Sequence, residues 1–239
     1  MLVLAIAVLL YRDFARDAAQ PPSGAASEHD ARRKAFELAY DRRQWGADAQ
    51  GKGTSGSGST PESTKLYRVF LQDFLAAHAI RSVVDAGCGD WEFSRAIDWK
   101  GIDYLGVDIV PSVIEANQRR FGAANVRFAV ADIVRDALPP ADLLLVKDVL
   151  QHLSGADITR FLMQLPRYRH VLIINDVNPD SLTAHAGNVG TGGYRSLDIT
   201  QPPYSVPGMK LLVWRSALRT KLVVHLQRRE ESAGDRGAR

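Results

Sequence analysis

The chain has almost no cysteine: Cys88 is the single one in 239 residues. An intrachain disulfide framework and a cysteine-built zinc cage are therefore excluded. Long apolar runs are missing as well, since the opening stretch Met1 to Leu10 falls short of the ~20 residues needed to cross a bilayer. Neither sign of charge dominates, because 30 Lys and Arg face 27 Asp and Glu for a net +3, and the excess is arginine near the two ends. That pattern describes solvated tails and not a basic face made for nucleic acid. No internal repeat is visible, and the length suits one full α/β domain while falling short of two.

What is present centres on Ser82 to Trp91, S-V-V-D-A-G-C-G-D-W. An apolar β-type run ends in an acid and opens into a tight glycine turn, which is how an α/β domain offers backbone to a cofactor at the carboxyl end of a strand. A nicotinamide or flavin fingerprint would need a third glycine where Glu92 stands, and Asp90 and Glu92 would face a dianionic pyrophosphate. An acidic turn suits a sulfonium cation better. Cys88, inside the turn and without a base indicated nearby, reads as a small residue packed beneath it.

Around the turn the chain alternates strands and helices. Met1 to Leu10 is followed by Tyr11, Arg12 and Arg16. The run reads as the trailing part of a membrane anchor, as a membrane-associating helix or as a docking helix, and the first is favoured. Arginines after it would keep the domain in the cytoplasm, anchored to the inner face of the membrane through residues 1 to 11. Residues 17 to 30 read as linker, Ala31 to Trp45 as helix, and Gly46 to Thr60 as a Ser/Gly loop. Thr60 and Pro61 start a helix that carries Leu66, Phe70, Phe74 and Ala77 on one face.

Strands are expected at Ser82 to Asp85, Tyr104 to Asp108, Val126 to Ala131, Asp142 to Lys147 and Val171 to Asn175, then Leu211 to Trp214 and Lys221 to Gln227. Asp108 lies 19 positions beyond Gly89, the spacing at which an acid ending the next strand reaches two ribose hydroxyls. Pro111 opens a helix with Val113, Ile114, Asn117 and Phe121, and Ser154 to Asp157 caps another with Ile158, Phe161, Leu162 and Leu165 facing inward. From Asp176 to Met209 no helical period is found, and so long a loop inside a compact domain is usually functional.

D-A-G-C-G, then Asp108, Asp132 and the end of strand four together resemble the class I S-adenosylmethionine (SAM) dependent methyltransferases. The resemblance covers most of residues 31 to 227. It implies a Rossmann-like α/β fold, with a seven-stranded mostly parallel sheet, an antiparallel end strand and helices on both faces. The corresponding division is residues 1–30 as apolar segment and linker, 31–229 as methyltransferase domain and 230–239 as polar tail. It also implies SAM as cofactor, contacted by Asp85, Gly87, Gly89, Trp91, Asp108, Ile109, Asp132, Ile133 and Lys147. In that family Asp132 would accept from the adenine amino group and Ile133 would pack on the ring. Lys147 has an equally available use in pairing with Asp148.

The segment after strand four, Asp148 to Ser154, emerges beside the reactive methyl in that fold. An alcohol acceptor must lose a proton there, so His152 is the candidate base, with Asp148 orienting it or taking the role itself. W-G, K-D-V-L-Q-H-L and G-G-Y-R resemble bacterial methyltransferases acting on small-molecule or sugar hydroxyls. An amino-terminal lid and the loop after strand five would then hold the acceptor through Trp45, Ser59, Tyr194 and Arg195, the last suited to an anionic or polyhydroxylated molecule. No metal is called, although Asp148 and His152 have the chemistry to ligate one.

Q-P-P-Y at Gln201 to Tyr204 resembles the N/D-P-P-Y of adenine amino methyltransferases. It lies after strand five instead of strand four, so nucleic acid is not the expected partner. The main alternative is a SAM-fold accessory protein without turnover, tethered at the membrane by its apolar head.

Overall fold

The computed structural model describes residues 23–46, 55–178, 188–216 and 219–228. The apolar head, residues 47–54 of the Ser/Gly loop, Gly187 and the polar tail lie outside the described residues. Seven strands form one sheet in the order β3-β2-β1-β4-β5-β7-β6. They are β1 (Ser82–Ala86), β2 (Asp103–Asp108), β3 (Val126–Val130), β4 (Leu143–Lys147), β5 (His170–Val177), β6 (Met209–Ser216) and β7 (Arg219–Gln227). β1 to β5 pair in parallel, and β7 pairs antiparallel with both β5 and β6. The reversed strand thus sits one in from the edge, which returns β6 to the direction of the parallel set.

Strict alternation along the central strands builds a core on each face. Val84, Leu144, Val146, Val171 and Ile173 join Ile158 and Phe161 of helix α4 (Gly155–Leu162) on one side. Val83, Leu143, Leu145, Leu172 and Ile174 meet Tyr67, Leu71 and Phe74 of α2 (Lys65–Ala77) and Ile114 of α3 (Pro111–Phe121) on the other. Side chains one residue apart point to opposite faces, so a continuous apolar run marks a strand covered on both. Strand order reverses between β1 and β4, and the cleft at their carboxyl ends is where such sheets bind ligands.

Two local expectations change. Helix α1 runs Ser23–Asp41, so residues 23–30 continue the helix instead of serving as linker, and residues 42–45, Trp45 included, form a turn after it. α2 starts at Lys65 with Thr64 before it, and its buried face is Tyr67, Leu71, Phe74 and Leu75, with Leu66 exposed. Thr60 caps the preceding turn: its hydroxyl accepts from the Ser63 N–H at 3.3 Å. The sequence pattern was read a turn early, so the register of the apolar stripe rotated. The Ser154 cap holds, accepting from the Asp157 N–H at 3.2 Å. Among the described residues no helix is long and apolar enough to cross a membrane.

Candidate active site

A cavity of about 370 Å³ opens at the carboxyl ends of β1, β2 and β4. Its floor is the glycine turn. Gly87 and Gly89 take left-handed backbone, φ 80° and 56°, and the Gly87 and Cys88 amides both donate to the Val107 carbonyl. A Cβ on Gly87 would stand 2.4 Å from Val149 Cγ2, and one on Gly89 2.3 Å from Ser55 Oγ. Both glycines are therefore required by backbone conformation and by close neighbours.

Asp108 faces this turn. Its Oδ2 accepts from the Gly89 N–H at 3.2 Å and its Oδ1 from the Val110 N–H at 3.0 Å, and burial pushes the carboxyl up to about 6 against those bonds. Asp85 is raised to about 6 by burial too, and accepts from the Tyr104 hydroxyl at 2.6 Å and from Ser94 at 3.4 Å. Asp85, Asp108 and Ile109 all line the cavity, and Tyr104 holds Asp85 from behind. Trp91 is a correction. It does not line the cavity but packs on Tyr104, Phe121 and Phe128 in the core beneath, its left-handed backbone (φ 59°) carrying the indole away from the cleft.

At the end of β3, Asp132 and Ile133 border the cavity as expected. Asp132 is already engaged: Arg32 of α1 donates to Oδ2 through Nε at 3.0 Å and Nη2 at 2.8 Å, and His29 Nδ1 lies 3.0 Å from the same oxygen. Burial would raise this carboxyl, yet Arg32 and His29 hold it below its usual range. Reading the adenine amino group through Asp132 would require sharing or exchanging one of these bonds.

At the other end of the cavity, His152 sits in a short 3-10 turn, Leu150–His152, after β4. Its Nδ1 donates to the Gly193 carbonyl at 2.7 Å, which fixes the tautomer and makes Nε2 the acceptor of the ring. Gln151 Oε1 accepts from the Asp176 N–H at 2.8 Å, so its Nε2 amide donates to the His152 Nε2 lone pair at 3.4 Å, a long bond that an acceptor hydroxyl would have to displace. Burial lowers the imidazole pKa, against the opposing bond to Gly193, so the ring is neutral at pH 7. Trp45 packs on it at 5.1 Å.

Asp148 does neither of the things expected of it. It is salt-bridged on both oxygens, Oδ2 by Lys147 at 2.5 Å and Oδ1 by Lys221 at 2.6 Å. Burial would raise its pKa, but the two ammonium groups hold it at about 2. A carboxylate this well compensated is no base, and Gly193 is what orients His152. Lys147 takes the pairing use, and also donates to the Gly58 carbonyl at 3.0 Å. Lys221 continues to Asp176 at 2.6 Å as an ion pair without an aligned hydrogen bond, and the Tyr194 hydroxyl donates to Asp176 at 3.1 Å.

Among the described residues, 55–59 and Tyr194 border this site. Ser55 and Asp90 exchange two bonds, the Asp90 N–H donating to Ser55 Oγ at 2.8 Å and the Ser55 N–H to Asp90 Oδ2 at 3.3 Å. Ser59, Trp45 and Tyr194 line the cavity. Arg195 does not: it is buried, and its Nη2 donates to the Leu153 carbonyl at 2.7 Å, bracing the turn that carries His152. Gln201 to Tyr204 also stay out of the cavity lining. Arg32, Tyr40, Asp176, Lys221 and Arg219 line it without having been singled out from sequence. Asp176 near the end of β5, and a lysine opening the apolar run K-L-V-V-H-L, were the available signals.

A family model described as "Methyltransferase domain" matches residues 83–169, the stretch from β1 to the start of β5. With the 3-2-1-4-5-7-6 sheet the assignment follows. The fold is that of the class I methyltransferases. The N-methyltransferase NodS from Bradyrhizobium japonicum, solved with S-adenosyl-L-homocysteine, matches at TM-score 0.55 and 15% identity over 72% of this chain and 89% of its own. The N-terminal domain of EvdMO1, solved in the presence of SAH and D-fucose, matches at TM-score 0.52 and 18% identity over 84% and 97%. In sequence, magnesium-protoporphyrin O-methyltransferase from Rhodobacter capsulatus is 32% identical over 100 residues. That match spans 41% of this chain and 45% of the relative.

The methyltransferase domain takes SAM as cofactor, and the cavity fits it. Asp108 keeps acceptor capacity for a vicinal diol, the turn presents backbone with no Cβ in the way, and Trp45 Nε1 is buried with no hydrogen-bond partner in the protein. Among the described residues no cluster of three or more His, Cys, Asp or Glu side chains gathers to hold a metal.

Proposed function

We propose that the protein is a SAM-dependent methyltransferase that acts on a hydroxyl of a small-molecule acceptor. The observation that carries this is His152: a neutral imidazole of fixed tautomer, in the same cavity as the glycine turn and Asp108. Bound there, SAM supplies an electrophilic methyl on a sulfonium. Gly87, Gly89 and Asp108 hold the adenosine end, and His152 Nε2 takes the hydroxyl proton as the acceptor oxygen approaches the methyl carbon. Trp45 and the lid segment around Ser59 exclude water from that contact. The O-methyltransferase relative supports oxygen as the acceptor atom.

A hydroxyl that needs deprotonation makes His152 indispensable to turnover and dispensable to cofactor binding. His152→Ala is expected to abolish transfer to a hydroxylated acceptor panel, sugars first, with SAM affinity retained by calorimetry. Unchanged turnover would remove the base assignment, and failure of SAM to bind the wild-type chain would remove the methyltransferase reading. Anchoring at the inner face of the membrane rests on residues 1–11 alone, and membrane fractionation with and without that segment tests it.

A further inference from the structure

Arg219 opens β7 at the acceptor end of the cavity, beside Tyr194. The other cavity-lining lysines and arginines are compensated: Arg32 by Asp132 and Asp157, Lys147 by Asp148, and Lys221 by Asp148 and Asp176. Among the described residues Arg219 pairs with no carboxylate. Its Nη1 donates to the Tyr194 hydroxyl at 2.7 Å, and its guanidinium carbon lies 4.3 Å from the Tyr194 ring centre.

Tyr194 is thereby held from two sides, accepting from Arg219 and donating to Asp176 at 3.1 Å. Its ring centre stands 6.0 Å from that of His152, so the guanidinium lies one aromatic ring away from the base. Two carboxylates, Asp148 and Asp176, balance two ammonium groups, Lys147 and Lys221, in this end of the cavity. Arg219 therefore leaves one net positive charge there, on a planar fork exposed to solvent and matched to carboxylate or phosphate oxygens.

We propose that the acceptor carries an anionic group, a carboxylate or a phosphate, which Arg219 grips so that a hydroxyl of the same molecule reaches His152. This deepens the methyltransferase reading and rests on it for the hydroxyl. Arg219 thus takes the anion-recognising role that the sequence had assigned to Arg195. Tyr194 is a positioning residue that keeps the fork facing the cavity.

The test is calorimetric titration of the full chain loaded with S-adenosylhomocysteine, using glucuronate, glucose 6-phosphate and glucose, which share a ring and differ in the anion. At least one anionic hexose is expected to bind roughly tenfold tighter than glucose. Arg219→Gln should erase that preference while S-adenosylhomocysteine affinity stays as in the wild type, and Arg219→Lys, which keeps charge but loses the fork, should retain part of it. Whichever anion is preferred separates carboxylate from phosphate. Equal binding of all three, no binding of either anion, or a preference that survives Arg219→Gln would overturn the proposal. If S-adenosylhomocysteine itself fails to bind, the methyltransferase reading falls, and the same anion titrations on the unloaded chain still judge Arg219.

Discussion

Asp108 and Asp148 face the same cavity from neighbouring parts of one sheet, yet burial lifts the first to about 6 while two lysines hold the second at about 2. The difference is one of partners. Asp108 receives neutral donors, the Gly89 and Val110 amides and the Tyr40 hydroxyl, and no ammonium group, so desolvation wins and acceptor capacity remains for a ligand. Asp148 spends both oxygens on Lys147 and Lys221, so Coulomb attraction wins and nothing remains. The glycine-turn end thus holds a carboxylate with acceptor capacity to spare for a diol, whereas the His152 end holds a closed charge network that shapes the cavity. His152 makes no ion pair in that network, which is why it is the residue we propose as the base.

The sharpest break is at His152. His152→Ala should lower kcat for a hydroxyl acceptor by about a thousandfold, the scale of a lost general base, with SAM affinity unaltered. Asp148→Asn tests the other half: if Asp148 were the base, kcat would fall as far as for His152→Ala. Next in size is Lys221→Met, which leaves Asp148 and Asp176 without their shared counter-ion. Breaking a buried pair costs about 3–5 kcal/mol, to be read by denaturant unfolding.

Asp108→Ala is expected to weaken SAM binding about a hundredfold in calorimetry, the loss of two charge-assisted bonds. pH should follow the same residue. A carboxyl at about 6 is ionised above that pH and accepts both hydroxyls, and below it the proton competes, so affinity is full near pH 7.5 and falls as pH drops through 6. The slope approaches tenfold per unit if Asp108 titrates alone. Asp148, at about 2, contributes no such dependence in that window. The smallest effect belongs to Trp91→Leu, which should leave SAM affinity within about twofold while lowering unfolding stability by roughly 1–3 kcal/mol. A large loss of SAM affinity there would return Trp91 to the cofactor site.

What could be read in advance divides along the same line. Gly87, Gly89, Asp108 and Asp132 each sit at or just past a strand end, and a strand end is a local feature that apolar runs and turn residues announce. Trp91 was misread because an aromatic beside a glycine turn looks the same on paper whether its backbone is left-handed or extended. Arg195 and Arg219 were exchanged for a related reason. Both are arginines near a tyrosine or a turn, and only the path of the chain from 188 to 195 puts one beneath the His152 turn and the other at the mouth. Arg32 belongs to a helix a hundred residues before Asp132, and no spacing rule joins them.

By itself the sequence determined where the strands lie along the chain and which glycines and acids end them, because apolar runs and strand-end acids are written in consecutive residues, while the order of the strands in the sheet came from the structure. Only the tertiary structure decided which charges cancel and which stay open. Lys147, Asp148, Asp176, Tyr194, Arg219 and Lys221 come from β4, β5, the loop beyond it and β7. The protonation and reach of each depend on side chains brought within hydrogen-bond distance by folding.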